Sequence, residues 1–237
     1  MKPPIYKPSG AALEYGDLAL NIYTGCNHGC YYCFAPNVLH KTREDFAKVE
    51  PHKDIVNEVR KQLEIEQISG KLIHLCFTCD PYPADIDTTP TREIIKLLKA
   101  YGNHVQILTK GGRRAERDFD LLDEKDWFGV TYCGYPDEGI EMANKPSKAE
   151  PNAAPPLERI NPIAECKAKR WVSLEPVLHA GDALALLENT DFDLYRIGKL
   201  NYHPSSINWH DFGRKAEDIC KRRGLNYYIK DSLRAEM

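Results

Sequence analysis

Short apolar runs with a strand-like pattern recur along the chain and alternate with segments of helical periodicity. The runs predict strands at 18–24, 72–78, 104–109, 128–133, 170–175, 193–198 and 225–230. Between them, apolar residues spaced three or four positions apart predict helices at roughly 51–68, 90–101, 115–123, 157–168, 180–189 and 208–223. Strands that alternate with helices in this way are typical of βαβ units and a parallel sheet.

Two of the predicted helix ends carry clear local signals. Thr89 stands directly before Pro90, which predicts Thr89 as the N-cap and Pro90 as the first helical residue. Gly224 follows three consecutive basic residues at the end of the 208–223 helix, which predicts a glycine C-terminal stop.

The number of predicted βα units favours a closed or nearly closed barrel over an open doubly wound sheet. No G-x-G-x-x-G follows the first predicted strand, which argues against a dinucleotide-binding sheet. In a barrel, the active site lies where the strands end and the loops begin. The residues directly after the predicted strands are chemically rich: Gly25-Cys26, Cys79-Asp80, Lys110 to Arg113, Glu175-Pro176, Lys199 and Lys230-Asp231.

The composition fits a soluble globular protein, and we expect residues 1–237 to form a single domain. No apolar run of about 18 residues is present, so no transmembrane helix is predicted. The first ten residues, MKPPIYKPSG, have no apolar core of a secretory signal, so we expect a cytoplasmic protein with reduced cysteines. The net charge of −3 argues against coating nucleic acid by bulk electrostatics, but it leaves room for a local basic groove.

Three of the eight cysteines lie within GCNHGCYYCFAP, residues 25–36, with the spacing C-x3-C-x2-C. A structural zinc site needs four ligands, and His28 lies between two of the cysteines, where it closes a tetrahedral site poorly. A [4Fe–4S] cluster held by the thiolates of Cys26, Cys30 and Cys33 would keep one iron open for an external ligand. Gly25 and Gly29 would relieve crowding around such a cluster.

This motif, with Tyr32 before the last cysteine and the loop placed after the first predicted strand, resembles the radical S-adenosylmethionine (radical SAM) superfamily. The resemblance implies a partial (β/α)6 barrel, here with a seventh C-terminal strand. It implies that the amine and carboxylate of S-adenosylmethionine chelate the open iron, with Tyr32 against the adenine. It further implies one-electron cleavage to a 5′-deoxyadenosyl radical, and an electron donor such as flavodoxin or ferredoxin.

Longer stretches resemble the spore-photoproduct-lyase-like branch, often described as DNA repair photolyases. They are ALEYGDLALNIYTGCNHGCYYC, FTCDPYP and TREIIKLLKAYGNHVQILTKGGRRAERDFDLL, so the resemblance covers roughly residues 11–135. GCNHGCYYCFAPNVLH and YYIKDSL also resemble radical SAM proteins carried by bacteriophages and bacteria. The branch implies a nucleobase or nucleotide substrate, in DNA repair or modification. Radical modification of a peptide or small metabolite is the alternative, and a non-enzymatic iron–sulfur module is a third.

The chain departs from the lyases at their hydrogen-donor cysteine. Aligned on Asp80, that position is Phe77. Because side chains alternate along a strand, Cys79 faces the same side as Phe77 for as long as the strand continues, whereas Cys76 does not. We therefore consider Cys79 and, by the same logic, Cys133 as hydrogen donors; a buried small apolar residue is the alternative for each.

The resemblance also suggests which strand ends bind the cofactor. Candidates are Thr78 and Asp80 for the methionyl amine and Glu175 for the ribose hydroxyls or the substrate, with Thr109, Lys110 and Ser173 as further cofactor-binding residues at the strand ends. Asp80 has the alternative of capping the loop at Pro81–Pro83. A basic cluster predicts a phosphate site, or alternatively a solvated helix start; its members are Lys110, Arg113, Arg114 and Arg117, with Lys199 as a further cation.

Overall fold

One open sheet, with its strands in chain order, forms the centre of the protein in a computed structural model that describes residues 3–134, 147–161 and 166–237. The strands are β1 (Ile5–Tyr6), β2 (Leu18–Leu20), β3 (Leu72–Leu75), β4 (His104–Thr109), β5 (Trp127–Thr131), β6 (Lys169–Leu174), β7 (Leu194–Ile197) and β8 (Tyr227–Ile229). β1 runs antiparallel to β2, and every later pair is parallel. The prediction of a partial barrel is confirmed.

The helices are α1 (Ala35–Val38), α2 (Arg43–Phe46), α3 (Ile55–Glu66), α4 (Thr89–Ala100), α5 (Pro156–Ile160), α6 (Ala180–Asn189), α7 (Trp209–Arg223) and α8 (Asp231–Arg234). Two 3-10 helices occupy Gly10–Glu14 and Gly112–Leu121. None of the helices in the described ranges has both the length and the apolar character needed to cross a membrane.

The two faces of the sheet have different chemistry, which follows from the alternation of side chains. One face carries Ile73, Val105, Val172, Tyr195 and Ile197, which are buried in the main apolar core. The opposite face, the barrel interior, carries polar and aromatic residues: His74, Gln106, Trp171, Ser173 and Arg196. Because parallel strands end at the same edge, the loops after β2 to β8 meet at one rim, here called the mouth.

The ring of Tyr15, which follows the first 3-10 helix, fills this interior. Its centroid lies 5.5 Å from His74 and 6.0 Å from Trp171, and the Arg196 guanidinium lies 4.8 Å from it. Trp171 in turn passes over Gly129, where an added Cβ would lie 2.3 Å from the indole. The interior is therefore a packed aromatic and cationic layer.

Several predicted elements differ in extent or type. The seven predicted strands correspond to β2–β8, but β3 stops at Leu75 because Cys76 has φ +74°. The helix predicted at 115–123 is the 3-10 helix Gly112–Leu121; the two types have similar periods over a short segment. The helix predicted at 157–168 corresponds to the shorter α5, Pro156–Ile160. Residues 162–165 lie outside the description, and Cys166 lies outside any helix.

The predicted N-cap at Thr89 is wrong by one residue. Thr89 is the first residue of α4, and Thr88 precedes it as N-cap without a capping side-chain bond. The backbone N–H and hydroxyl of Thr89 donate instead to Asp87, at 2.9 and 2.7 Å. The predicted stop at Gly224 is confirmed: it has φ +66° and ends α7.

Candidate active site

The three cysteines of the motif line one cavity of about 160 Å³ in the loop after β2, together with His28, Gly29, Arg43, Phe46 and Ala47. All three thiols are free. Burial raises the pKa of Cys26 well above its usual range and that of Cys30 to about 11, so both are neutral thiols at pH 7. Binding of a metal would therefore release a proton from each. Residues 25–34, here called the cluster loop, thus present three thiols to one space and fit the predicted [4Fe–4S] cluster.

The two glycines of the cluster loop have definite geometric roles. A Cβ at Gly25 would lie 2.0 Å from the carbonyl oxygen of Phe46, which accepts the Cys26 N–H at 3.0 Å. Gly29 has φ +74° and faces Pro151. Only glycine meets both demands without strain, which agrees with the crowding argument from the sequence.

A second segment holds the cluster loop from outside. Residues 149–154, here called the strap, accept the Tyr31 N–H at Ala149 O (3.1 Å). Asn152 donates its N–H to His28 O (3.1 Å) and its side-chain amide to Asn27 O (2.8 Å). The strap belongs to a proline-rich stretch of the sequence, PSKAEPNAAPP, whose pattern gives no indication of this contact.

The strap carries a buried carboxylate, Glu150, directly against the site. Tyr32 donates its hydroxyl hydrogen to Glu150 Oε1, and the sulfur of Cys133 lies 3.2 Å from the Tyr32 hydroxyl and 3.3 Å from Glu150 Oε1. Arg159 of α5 donates to Glu150 Oε2 at 2.5 Å. Burial alone raises the pKa of Glu150, but Arg159 and Lys110 lower it to about 2, so it is an anion at neutral pH. Sequence reasoning missed Glu150 and Arg159.

Lys110 points toward the same group rather than to solvent. Its ammonium lies 5.8 Å from the centre of the Tyr32 ring. Burial lowers the pKa of Lys110, but the negative charges of the Cys30 thiolate, where it forms, and of the Glu150 carboxylate raise it well above its ordinary value. Lys110 therefore supplies a fixed positive charge beside the cluster loop.

Asp80 connects the cluster loop to the end of β4. Its Oδ1 accepts the Thr109 hydroxyl at 2.6 Å and the Tyr82 N–H at 2.8 Å, and its Oδ2 accepts the Lys110 N–H at 2.9 Å. The Tyr82 bond agrees with the capping alternative for Asp80. Thr78 lies nearby in sequence, and its N–H is held by Asn21 Oδ1 at 3.0 Å.

His28, inside the cluster loop, bridges Asp80 and Arg114. Its Nδ1 lies 3.5 Å from Asp80 Oδ2, and its Nε2 lies 3.2 Å from the Arg114 guanidinium. Burial is the main cause that lowers its pKa to about 4, so the ring is neutral at pH 7. Arg114, predicted as a phosphate ligand, is thus placed against the cluster loop.

A second charged group lies at the ends of β6 and β8. Glu175 accepts from Lys230 at 2.5 Å and from the Tyr15 hydroxyl at 3.1 Å, and Lys230 also lies 3.1 Å from Glu14. Ser173 is buried on the same interior face. The two candidates predicted at the end of β6 therefore come together, with Glu175 fixed by a cation and a phenol.

The predicted basic cluster does not converge on one point. Arg113 is 68% exposed and pairs with Glu116 at 3.3 Å. Arg117 donates to the Thr88 hydroxyl at 3.1 Å, and Lys199 pairs with Glu236. Arg113 therefore has the most accessible side chain of the three.

Cys79 and Cys133 have different surroundings. Because β3 ends at Leu75, alternation along a strand no longer assigns Cys79 to a face, so that premise is wrong. Cys79 is partly buried and packs against the apolar core. Cys133 is buried next to Tyr32 of the cluster loop.

Comparisons with known proteins agree with this geometry. The family model of the radical SAM superfamily matches residues 20–182. An uncharacterized protein, ORF301, of Acidianus two-tailed virus is 29% identical over 196 residues. That match covers 70% of this chain, and the chain spans about 60% of the length of the viral relative.

Two solved structures show the same fold. Spore photoproduct lyase complexed with dinucleoside spore photoproduct superimposes with a TM-score of 0.68 at 12% identity, over 97% of this chain and 79% of the lyase. A double variant of that lyase, with bound AdoMet and dinucleoside spore photoproduct, gives 0.63 at 14% identity, over 93% and 64%. At these identities the similarity describes the fold alone.

Proposed function

Because the chain belongs to the radical SAM superfamily, we propose that it is an enzyme that uses a [4Fe–4S] cluster and S-adenosylmethionine to act on a nucleobase or nucleotide. The observation that carries the proposal is the convergence of three free thiols on one cavity, beside Tyr32 and Lys110. One open sheet through the described ranges supports a single radical SAM domain over residues 1–237.

Cys26, Cys30 and Cys33 would hold the cluster, since they are the cysteines that line the cavity. When bound, the cluster and S-adenosylmethionine supply a carbon radical that abstracts hydrogen. The chain's own residues hold the cluster loop in place. Arg43 donates to the carbonyl of Cys30 at 2.9 Å, and the strap bonds the backbone of His28 and Tyr31.

We place the cofactor between the two charged groups at the mouth. The face of Tyr32 is held by its hydroxyl bond to Glu150 and suits an adenine ring. Glu175, oriented by Lys230 and Tyr15, suits ribose hydroxyls or a substrate donor. We propose Asp80 and Thr78 for the methionyl amine, with Thr109 bonded to Asp80, and Ser173, two residues before Glu175, as a further cofactor contact.

For the hydrogen donor we favour Cys133 over Cys79. The thiol of Cys133 contacts both the Tyr32 hydroxyl and Glu150, which places it beside the cluster loop. Cys79 packs against the apolar core instead. A donor must lie close to the radical carbon, and the contact of Cys133 with Tyr32 meets that requirement better.

A nucleobase or nucleotide substrate rests on two further observations. The lyase with the same fold was solved in complex with dinucleoside spore photoproduct. Arg113 at the start of the second 3-10 helix is exposed and follows β4, on the rim that also carries the cluster loop. We propose Arg113, Arg117 and Lys199 as phosphate contacts, and a flavodoxin or ferredoxin as electron donor.

The proposal is tested with anaerobically reconstituted protein, reductant and S-adenosylmethionine. We expect 5′-deoxyadenosine to form slowly alone and faster with an oligonucleotide or nucleotide, and a mass change in the nucleosides after digestion. Cys30→Ser is the matched inactive control. Stimulation by peptides or small metabolites, with none by nucleic acid, would move the peptide or metabolite alternative ahead.

A further inference from the structure

Exposed aromatic side chains stand on two loops of the mouth that come from opposite ends of the sheet. Tyr31 of the cluster loop is 45% exposed, and Phe34 at its end is 48% exposed. Tyr202, in the loop after β7, is 93% exposed. The ring of its neighbour His203 meets the Tyr31 ring edge-on at 5.3 Å, so the two loops touch across the mouth.

The backbone of Tyr202 is held in an unfavourable conformation. Its φ is +64°, in the left-handed region that bulky side chains rarely adopt. A strained residue whose ring projects into solvent gains no packing energy from its position. Such outliers concentrate at sites that bind ligands, because the strain is retained where the side chain has a use.

Neither loop carries an acidic residue of its own, although Glu236 pairs with Lys199, and such a surface favours a polyanion. The sequence contains 35 Asp and Glu residues, yet none lies between Leu18 and Arg43 or between Leu194 and His210. These two segments include the cluster loop and the loop that carries Tyr202 and His203. Arg43 is exposed and donates to the carbonyls of Cys30 and Tyr31, which places a cation beside the Tyr31 backbone. The net charge of −3 is therefore located elsewhere in the chain.

We propose that Tyr31, Tyr202 and His203 form a stacking platform for a single strand of DNA that crosses the mouth. Aromatic faces bind successive bases regardless of sequence, while nearby cations bind the phosphates. This inference rests on the proposed nucleobase or nucleotide substrate and narrows it: the substrate is an extended strand, with bases next to the target stacked on the rim, rather than a free nucleotide.

The geometry favours a nucleic acid over an acidic protein at this surface. Tyr202 is 93% exposed and offers a whole ring face for stacking on a base, whereas an aromatic anchor of a protein interface needs a matching pocket in its partner. The Tyr31 ring also meets the Tyr32 ring edge-on at 5.4 Å, and the Tyr32 hydroxyl contacts the Cys133 sulfur, so a base stacked on Tyr31 would lie near both residues. An acidic electron carrier is the competing occupant, and the test separates the two.

The test measures binding of a fluorescently labelled 12-nucleotide oligothymidylate to the reconstituted holoenzyme by fluorescence anisotropy, at low salt and with S-adenosylmethionine present. We expect the dissociation constant of the oligomer to be at least tenfold lower than the inhibition constant of thymidine monophosphate measured by competition. Tyr202→Ala and Tyr31→Ala should each weaken oligomer binding roughly tenfold, and Tyr202→Trp should restore it. Ile65→Ala, which changes an exposed apolar residue on α3, should have no effect.

Other outcomes overturn the inference. Equal binding of monomer and oligomer, or tighter binding of oligouridylate than of oligothymidylate, would reject a DNA strand. Unchanged DNA binding by both alanine variants, with slower cluster reduction by flavodoxin but not by dithionite, would assign the surface to the electron carrier. If thymidine monophosphate still stimulates 5′-deoxyadenosine formation in these cases, the proposed function stands while this inference fails.

Discussion

Tyr32 and Glu150 are hydrogen-bonded although they lie 118 residues apart in the chain. Tyr32 immediately precedes a cluster cysteine, while Glu150 belongs to the strap and is paired with Arg159 of α5. The orientation of the Tyr32 ring thus depends on an ion pair that touches no cysteine of the motif. A change far from the motif should therefore alter the cofactor site.

We predict that Glu150→Ala lowers the free energy of unfolding by about 3–5 kcal/mol, because it leaves the buried Arg159 charge without its partner. Urea denaturation of the reconstituted protein measures the change. Glu188→Ala is the matched control, since Glu188 pairs with Arg222 at the surface, and it should cost no more than about 1 kcal/mol. Equal costs for the two variants would contradict the burial argument.

Replacing any one of Cys26, Cys30 and Cys33 with serine should abolish binding of about four iron and four sulfide per chain. The fold should persist, because the sheet does not depend on these side chains. Cys166→Ser and Cys220→Ser change buried cysteines outside the cavity and should leave iron binding intact. Iron and sulfide analysis with far-UV circular dichroism tests this; one equivalent of zinc without sulfide would reject the cluster.

The sheet and the convergence of the three motif cysteines on one cavity were predictable because both depend on short-range patterns. Strand and helix periodicity, and the spacing of three cysteines, are local features. Glu150 was not predictable: it lies in a proline-rich segment, and its partners Tyr32 and Cys133 are brought to it only by the fold. The end of β3 was misplaced for a similar reason, since LIHLCFT has the composition of one continuous strand and nothing in it reveals the positive φ of Cys76.

Arg113 and Arg114 are adjacent in sequence, but they should respond differently to replacement. Arg113→Ala removes an exposed cation, so we expect weaker oligonucleotide binding and a salt dependence smaller by roughly one unit of slope, with unchanged iron content. Arg114→Ala removes the partner of His28 in the cluster loop, so we expect altered cluster content or stability instead. Titrations at several salt concentrations, with iron analysis, separate the two roles. If both variants weaken DNA binding equally and neither changes the iron content, the two arginines act together in one phosphate site, as the sequence predicted.

His74 should make the protein less stable in acid. Burial in the barrel interior is the main cause that lowers its pKa to about 4, so the unfolded chain binds a proton that the native chain does not. Stability is therefore complete above about pH 6.5 and decreases as the pH falls toward 4, by up to about 3 kcal/mol. His74→Gln should flatten that decrease in denaturation series from pH 7 to 4, whereas the exposed His210→Gln should not. A parallel decrease in wild type and His74→Gln would contradict the assignment.

Cofactor binding should depend on Glu175 and Asp80. Glu175→Ala should weaken S-adenosylmethionine binding, or uncouple its cleavage, and leave Lys230 without its closest carboxylate. Asp80→Ala removes three hydrogen bonds, two of which tie the loop after β3 to the end of β4, so we expect both weaker cofactor binding and lower stability. Both variants are tested by isothermal titration calorimetry with S-adenosylmethionine, using preparations whose iron content equals that of the wild type. Wild-type affinity and cleavage in both variants would reject the placement of these strand ends.

The contact between Lys230 and Glu14 has a consequence for the order of folding. It joins residues 216 positions apart, and Tyr228 and Asp231 also bond Glu14 across similar separations. Closing a loop of this length carries an entropic cost before any contact compensates it, so these bonds form late. During synthesis, Glu14 and Glu175 would lack their shared cation, Lys230, until β8 has left the ribosome. The mouth of the barrel is therefore among the last parts of the molecule to mature.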